Sequence, residues 1–254
     1  MFQRIIQGMP LVADISRSDM LLYGAVSDRE ASIIAQARPH SLSPIYPSGL
    51  VGRRIGPQDE PYLFRVLHQR RSAQGERVRI PGTAPIVQVV YPLFARQGRV
   101  MGALSIETHL FEHERQQRRR RPFQRALRWL QQMLLRGELL NLEGISPFGE
   151  YDGIMVVNTG RRILYMSGIA TNLYRRLGYL KSLVGQRLPD LATADDGLIS
   201  HALDEGVCLE EEVQERGRIL IKKAIPLLSR GGAGWSSPVA RLAHDPYLVG
   251  AMLT

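Results

Sequence analysis

A chain of 254 residues that is 44% hydrophobic and 22% charged can bury an ordinary core, so intrinsic disorder is not expected. No apolar run approaches the roughly 18 residues of a membrane-spanning helix. The N-terminus lacks the long apolar core of a signal peptide, and we expect a cytoplasmic protein. The single cysteine, Cys208, excludes an internal disulfide and a cysteine-rich zinc site.

The net charge of +9 is concentrated in one segment. Residues 112–136 carry eight arginines and two glutamates, a net of +6, which leaves +3 for the rest of the chain. A basic patch confined to one segment is not the spread footprint typical of a nucleic-acid-binding domain. A nucleic-acid-binding regulator that uses this arginine-rich helix is nevertheless the alternative reading of the function. It would bind with a steep salt dependence and no sequence preference.

The first 110 residues predict an α+β domain built on an antiparallel sheet. An amphipathic helix that ends near Pro10 or Ala13 comes first, followed by a hairpin that turns at residues 27–30. A proline-containing loop leads to a helix with Pro61 in its first turn, which we expect to run to about residue 75. Two long strands about a Gln97–Gly98 turn complete the domain.

Residues 111–137 predict one long, basic helix that connects two domains. Pro122 suits the first turn of a helix, because proline has no N–H to leave unpaired there. Apolar residues follow at steps of four, three and four, which is the spacing of a coiled-coil seam and predicts a homodimer. A monomer could instead bury the same seam against its own sheet. The seam consists of Phe123, Leu127, Leu130 and Leu134.

Residues 138–230 predict a second, smaller α+β domain. A hairpin turns at residues 158–160, two short helices follow, and a second hairpin turns at Arg216–Gly217. The glycine-rich stretch from Gly137 to Glu150 is expected to be a flexible joint. Residues 231–254 have no clear period and are expected to form an irregular tail.

Two segments resemble a known family once this layout is in view. The stretch "PLVADISRSDMLLYGAVSDREASIIAQARPHS", followed by "GLVGRRI", resembles the GAF-like sensor domain of PdtaS-type soluble bacterial histidine kinases. The stretch "GIMVVNTGRRILYMSGIATNLYRRLGYLKSLVGQRL" resembles the PAS domain that follows in the same proteins. The order of the segments also matches, over about residues 5–230. The resemblance implies the sensory and dimerisation module of a cytoplasmic two-component kinase, which reaches a response regulator only through a complete kinase.

The chain also departs from that family. The strand that closes the family's PAS domain is not visible, nor is the phosphoacceptor motif "H-x-[VI]-K-N-N" or an ATP-binding domain. No catalytic residue can therefore be carried over, and the chain alone is expected to be inactive. Because the glycine-rich composition after Arg230 is typical of off-frame GC-rich DNA, we hypothesise a truncation or frame shift there.

The resemblance implies a ligand pocket between sheet and helices in each domain. An arginine and a histidine beside a sheet could hold an anionic ligand, whereas packing aromatics and surface charges are the plainer interpretation. No haem or flavin signature is present, so the cofactor stays open, and no metal site is predicted. The candidates in the first domain are Tyr23, Arg38, His40, Tyr46 and Tyr91. Those in the second are Met155, Tyr165, Tyr174 and His201.

Overall fold

The computed structural model describes residues 1–27, 29–78, 84–95, 98–227 and, for the backbone alone, 248–253. The chain divides into two compact units, each built on one antiparallel sheet that is packed with helices. The predicted α+β fold class is therefore confirmed. The first unit comprises Met1–Arg119, Leu134–Gly137 and Pro147–Glu150, and the second comprises Arg120–Met133, Glu138–Ser146 and Tyr151–Thr254.

The first unit contains a six-stranded sheet in the order β3-β2-β1-β6-β5-β4. Its strands are β1 (Asp19–Ser27), β2 (Glu30–Ala37), β3 (Arg54–Ile55), β4 (Ala73–Arg77), β5 (Ile86–Phe94) and β6 (Val100–His109). The predicted hairpins β1–β2 and β5–β6 both form, although Gln97 of the expected turn lies outside the described residues. The two edge strands were not predicted, because β3 has only two residues and β4 ("AQGER") lacks an apolar alternation.

Two helices of the first unit differ in length from their predictions. Helix α1 (Phe2–Ser16) continues beyond Pro10, because Pro10 faces solvent while Ile5, Met9 and Val12 bury an apolar stripe. Helix α2 (Pro61–Gln69) is shorter than expected, because the residues from Ala73 onward pair with β5 as strand β4.

The single connecting helix predicted over residues 111–137 is two helices. Helix α3 (Leu110–Gln117) and helix α4 (Arg121–Arg136) are separated by residues 118–120. Pro122 explains the break, because it has no N–H for the carbonyl of Arg118 and its ring would collide with that group in a continuous helix. Its place in the first turn of α4 is the predicted one.

The apolar seam of α4 is buried within a single chain. Of its four residues, Phe123 is 2% exposed, Leu127 8%, Leu130 3% and Leu134 0%. Inside the second unit, the Phe123 ring lies 5.3 Å from the ring of Tyr165, measured between centroids. A homodimer through these four residues would first have to expose them, and it stays a prediction.

The second unit contains a five-stranded sheet in the order β8-β7-β11-β10-β9. Its strands are β7 (Gly153–Asn158), β8 (Ile163–Met166), β9 (Leu209–Glu215), β10 (Arg218–Leu227) and β11 (Leu248–Leu253). Helices α5 (Gly168–Arg176) and α6 (Asp195–Glu205) form as predicted, with a short 3-10 helix (Leu188–Asp190) in the predicted loop between them. Both predicted hairpins also form.

The prediction of an irregular tail is wrong for residues 248–253. Strand β11 lies at the centre of the second sheet, where Ala251 is opposite Met155 of β7 and Ala224 of β10. The run "LVGAML" contains no polar side chain, which suits a central strand, but six apolar residues without alternation carry no decisive local signal. Residues 228–247, including His244, lie outside the described part of the chain.

The stretch predicted as a flexible joint is tied into the units by hydrogen bonds. In the second unit, the Asn141 side chain donates to the Cys208 carbonyl at 2.9 Å, and the Ser146 hydroxyl donates to Glu210 Oε2 at 2.8 Å. In the first unit, the Phe148 amide donates to Asp14 Oδ2 at 3.0 Å. These bonds, and the burial of Leu139, give the stretch contacts inside each unit, and the flexible joint stays a prediction.

A proline substitution tests the central position of β11. Replacing Ala251 by proline removes one N–H from the middle of the sheet, and we expect the second unit to lose roughly 1–3 kcal/mol of unfolding free energy. Calorimetric melting of the full chain measures the loss, and Ala251→Ser, which keeps the N–H, is the control. Equal melting of the two variants would contradict the central placement.

Candidate ligand-binding site

One face of the first sheet is apolar at one end and polar at the other. Side chains alternate between faces along a strand, so the β1–β6 register decides which residues share a face. It pairs Tyr23 with Ala103, Leu21 with Ser105 and Asp19 with Glu107. At the Tyr23 end, helix α2 supplies Leu63 and Phe64 to a hydrophobic core cluster. At the Asp19 end, the face carries carboxylates.

These polar side chains form what we call the acidic cluster. Each of its members is at most 5% exposed to solvent. They come from three strands of the sheet and from the residue that precedes helix α2. The members are Asp19, Glu60, Gln88, Ser105 and Glu107.

Gln88 contacts three other members of the acidic cluster. Its Nε2 lies 3.0 Å from Glu60 Oε2, 3.0 Å from Ser105 Oγ and 3.3 Å from Glu107 Oε1. The Ser105 hydroxyl also donates to Glu107 Oε1 at 3.0 Å. Arg77 of strand β4 adds a positive charge, with Nη1 2.7 Å from Glu60 Oε2. Neutral donors and one guanidinium therefore satisfy most of the buried carboxylate oxygens.

Two of the predicted tyrosines meet at this cluster. The Tyr46 hydroxyl donates to Glu107 Oε2 at 2.6 Å, and the Tyr23 hydroxyl contacts Glu60 Oε1 at 3.4 Å. Tyr91 does not join them, because it is one residue removed from Val90 along β5 and so projects from the opposite face of the sheet. Burial raises the pKa of the Tyr91 phenol.

Asp19 is the least satisfied member of the acidic cluster. Its Oδ2 accepts the amide of Ile45 at 3.2 Å, whereas no donor among the described residues reaches its buried Oδ1. Burial raises the pKa of this carboxyl to about 6; the Ile45 hydrogen bond opposes the shift, Glu107 adds to it and Arg38 opposes it. A group with this pKa changes its charge close to neutral pH.

Residues 38–50, which we call the covering loop, are attached to acceptors on the neighbouring elements. Besides the Ile45 and Tyr46 contacts, the Leu50 amide donates to Gln36 Oε1 at 2.9 Å. The His40 amide and the His40 Nδ1 lie 2.8 and 2.9 Å from Asp14 Oδ1. The loop therefore rests on side chains from α1, β1, β2 and β6.

Arg38 and His40, which could hold an anionic ligand, both lie near carboxylates in the structure. The His40 ring contacts the Asp14 carboxylate, and the positive charge of Arg38 lowers the pKa of the Asp19 carboxyl. The surroundings of both side chains are acidic, so they favour a ligand that donates hydrogen bonds or carries positive charge rather than an anion.

The candidates in the second unit serve its core or lie at its surface. Met155 belongs to the hydrophobic core cluster of that unit, and Tyr165 packs against Phe123. His201 is exposed, and its Nε2 lies 3.1 Å from Glu205 Oε1 one helical turn away. Cys208 is buried, and burial raises the pKa of its thiol to about 12, which excludes a reactive thiolate at neutral pH.

The second unit contains a buried lysine whose burial was not predicted from the sequence. Lys222 is 1% exposed, and its Nζ lies 2.7 Å from Asp195 Oδ1 and 2.5 Å from Glu215 Oε1. Asp195 Oδ2 in turn accepts the hydroxyls of Tyr174 and Thr193 at 2.5 and 2.6 Å. Burial and the Asp195 carboxylate raise the pKa of the Tyr174 phenol. The two adjacent lysines in the apolar run "ILIKKAIPL" were the available signal, because a lysine in such a strand needs a buried counter-charge.

The described residues were also compared with the requirements of a metal site and of a membrane-spanning helix. Among the described residues, no group of three or more histidine, cysteine, aspartate or glutamate side chains is arranged to hold a metal ion. Within the same residues, every helix is too short or too polar to cross a lipid bilayer.

Comparison with known proteins gives consistent matches. The family model for the GAF domain of the histidine kinase PdtaS matches residues 1–126. The sensor histidine kinase PdtaS of Mycolicibacterium smegmatis is 23% identical over 237 residues, which are 87% of this chain and 48% of that protein. The chain thus spans about half the length of this relative. A solved sensor region of a sensor histidine kinase has a TM-score of 0.64 at 17% identity, over 99% of this chain and 89% of that one, and shares the fold.

The buried lysine of the second unit provides a test of its packing. Replacing Lys222 by methionine leaves Asp195 and Glu215 without their counter-charge, and we expect a loss of about 3–5 kcal/mol of unfolding free energy. Urea denaturation measures the loss. Lys181→Met, at an exposed lysine, is the matched control and should change stability by less than about 0.5 kcal/mol. A loss below about 1 kcal/mol in Lys222→Met would contradict the role assigned to the ion network.

Proposed function

We propose that the chain is the sensory region of a cytoplasmic two-component histidine kinase, because residues 1–126 match the family model for the GAF domain of the histidine kinase PdtaS. In this proposal the first, GAF-like unit binds the signal. The second unit is the PAS-like unit that follows it in the same order as in the family. The chain itself performs no phosphoryl transfer in this proposal.

The acidic cluster is the observation that carries this proposal. A sheet face whose only task is packing is normally apolar, because each buried polar group that lacks a partner costs about 1–3 kcal/mol. Here half of a buried face is polar, and Asp19 retains an oxygen without a partner among the described residues. Convergent polar groups beside an apolar wall, with a perturbed pKa among them, are typical of small-molecule sites.

The chemistry of the cluster favours one class of ligand. Three carboxylates converge there, and the guanidinium of Arg77 is already hydrogen-bonded to Glu60. The cluster therefore presents acceptors, and the ligand that suits it is a small molecule with hydrogen-bond donors or a positive charge. The second unit is less suited to this task, because the Lys222 ammonium already lies between its carboxylates Asp195 and Glu215.

Signal output would follow from a change in population. A ligand that binds better to one arrangement of the first unit shifts the chain toward that arrangement. In a complete kinase this shift would change the phosphoacceptor region, and through it a response regulator. Both steps belong to the proposal, since the chain spans about half of its relative.

Ligand binding can be tested with one matched pair of tyrosine variants. Native mass spectrometry of the purified chain identifies a retained small molecule, and a thermal-shift screen of small amines and neutral metabolites extends the search. A ligand at 100 times its Kd adds about 2.7 kcal/mol of stability, which raises the melting temperature by several degrees. We expect Tyr46→Phe to weaken binding and Tyr91→Phe, on the opposite face, to preserve it.

Two outcomes would contradict the assignment. If no compound of any class binds, the first unit is not a ligand sensor. If a ligand binds equally well to wild type and Tyr46→Phe, or is lost only in Tyr91→Phe, the site lies elsewhere.

We retain homodimerisation as part of the proposal. Light scattering of the full chain at micromolar concentration should give twice the chain mass. Because Leu127 and Leu130 are buried, Leu127→Glu with Leu130→Glu is expected to unfold the chain rather than separate folded monomers. Circular dichroism distinguishes these results, and folded monomers of the variant would restore the seam as the interface.

A further inference from the structure

The covering loop rests on two carboxylates that face each other. Asp19 and Glu107 are direct cross-strand partners in the β1–β6 register, and both are fully buried. Directly opposed residues of an antiparallel pair have Cα atoms about 4.5–5.5 Å apart, and like charges in this position destabilise the sheet. The loop covers this pair, since the Ile45 amide donates to Asp19 and the Tyr46 hydroxyl donates to Glu107.

Two charged groups act directly on the Asp19 carboxyl. Glu107 of β6 is negative, Arg38 at the start of the covering loop is positive, and both act on the Asp19 carboxyl. The cluster connects Glu107 through Gln88 to Glu60, and Arg77 pairs with Glu60 rather than with Asp19. No donor among the described residues reaches Asp19 Oδ1, and a proton is the smallest cation that can offset the Asp19 charge beside Glu107.

We propose that the covering loop is a proton-operated latch, which is closed over the acidic cluster when Asp19 is protonated and loosened when Asp19 and Glu107 are both ionised. The inference goes beyond the proposed sensory function, because the motion of the loop can be measured without any ligand. It rests on that function only in treating the loop as the cover of the candidate site.

Protonation favours the closed loop for two reasons. It removes the repulsion between the two carboxylates, and it turns the unpartnered Oδ1 of Asp19 into an O–H donor, while Oδ2 still accepts the Ile45 amide. An open loop would expose Asp19 to water, where its pKa returns toward the ordinary value of 3.8. Because the pKa is about 6 in the closed form, the stabilisation is complete below the ordinary value and is lost as pH rises through about 6.

This linkage sets the size of the expected effect. Between pH 7.5 and pH 5.0 the ratio of closed to open loops should rise about tenfold, because the closed form binds the proton more tightly than the open form. Glu107 continues to accept the Tyr46 hydroxyl.

Hydrogen exchange of the full chain tests the latch. Protection of the covering-loop amides, corrected for the intrinsic effect of pH on exchange, should rise about tenfold in the wild type from pH 7.5 to pH 5.0. Asp19→Asn, which mimics the neutral carboxyl, should be protected at both pH values and change by less than about twofold.

A second variant tests whether His40, a titratable group on the covering loop, causes the pH dependence instead of Asp19. His40 contacts Asp14 and also holds the covering loop, so His40→Gln is the control and should retain the tenfold change. A wild-type loop without pH dependence would overturn the latch. So would a dependence that survives Asp19→Asn, or one that disappears in His40→Gln alone.

A measurement on the wild type keeps the proposal testable if Asp19→Asn does not fold. A carbon NMR titration of the Asp19 carboxyl should give a midpoint near pH 6, and a midpoint near the ordinary 3.8 would overturn the latch. A failed ligand screen combined with a pH-dependent loop would remove the proposed ligand and leave the latch in place. If a ligand binds but loop protection does not depend on pH, the proposed ligand site stands and the latch is overturned.

Discussion

A charge taken out of water must be paired, hydrogen-bonded or neutralised, and both units are organised around this requirement. Moving a carboxylate into the interior costs several kcal/mol unless a partner compensates for the lost water. The two units meet the same requirement by different means. In the second unit an ammonium, Lys222, lies between Asp195 and Glu215. In the first unit the compensation comes mainly from neutral donors around Gln88.

This difference separates a structural network from a candidate site. The ion network of the second unit holds one ammonium between two carboxylates, and it joins helix α6 to strands β9 and β10. Each unit keeps a carboxyl oxygen without a hydrogen-bond partner among the described residues, Asp19 Oδ1 in the first and Glu215 Oε2 in the second. In the first unit a loop covers the carboxylate, whereas in the second helix α6 itself supplies Asp195. Under our proposals, this cover is the part of the first unit that would respond to a proton or a ligand.

A second carboxylate links the covering loop to other parts of the first unit. Asp14 of helix α1 accepts the His40 amide and ring nitrogen on one side and the Phe148 amide on the other. The loop that covers the cluster and the short segment around Phe148 therefore share one buried acceptor. A displacement of the loop would alter the hydrogen bonding of a residue more than 100 positions away in sequence.

The amino-acid sequence by itself determined the α+β class, four of the hairpins, most of the helices and the family resemblance, because each of these follows from a local pattern of apolar residues, turns or matching segments. It could not determine that Tyr46, but not Tyr91, reaches a carboxylate, because strand register decides which face each side chain occupies. Nor could it place strand β11, whose partner β7 lies almost 100 residues earlier. Periodicity also marked the apolar stripe of α4 without saying what would cover it. Only the tertiary structure decided these points, since pairing and burial between distant residues leave no trace in a local pattern.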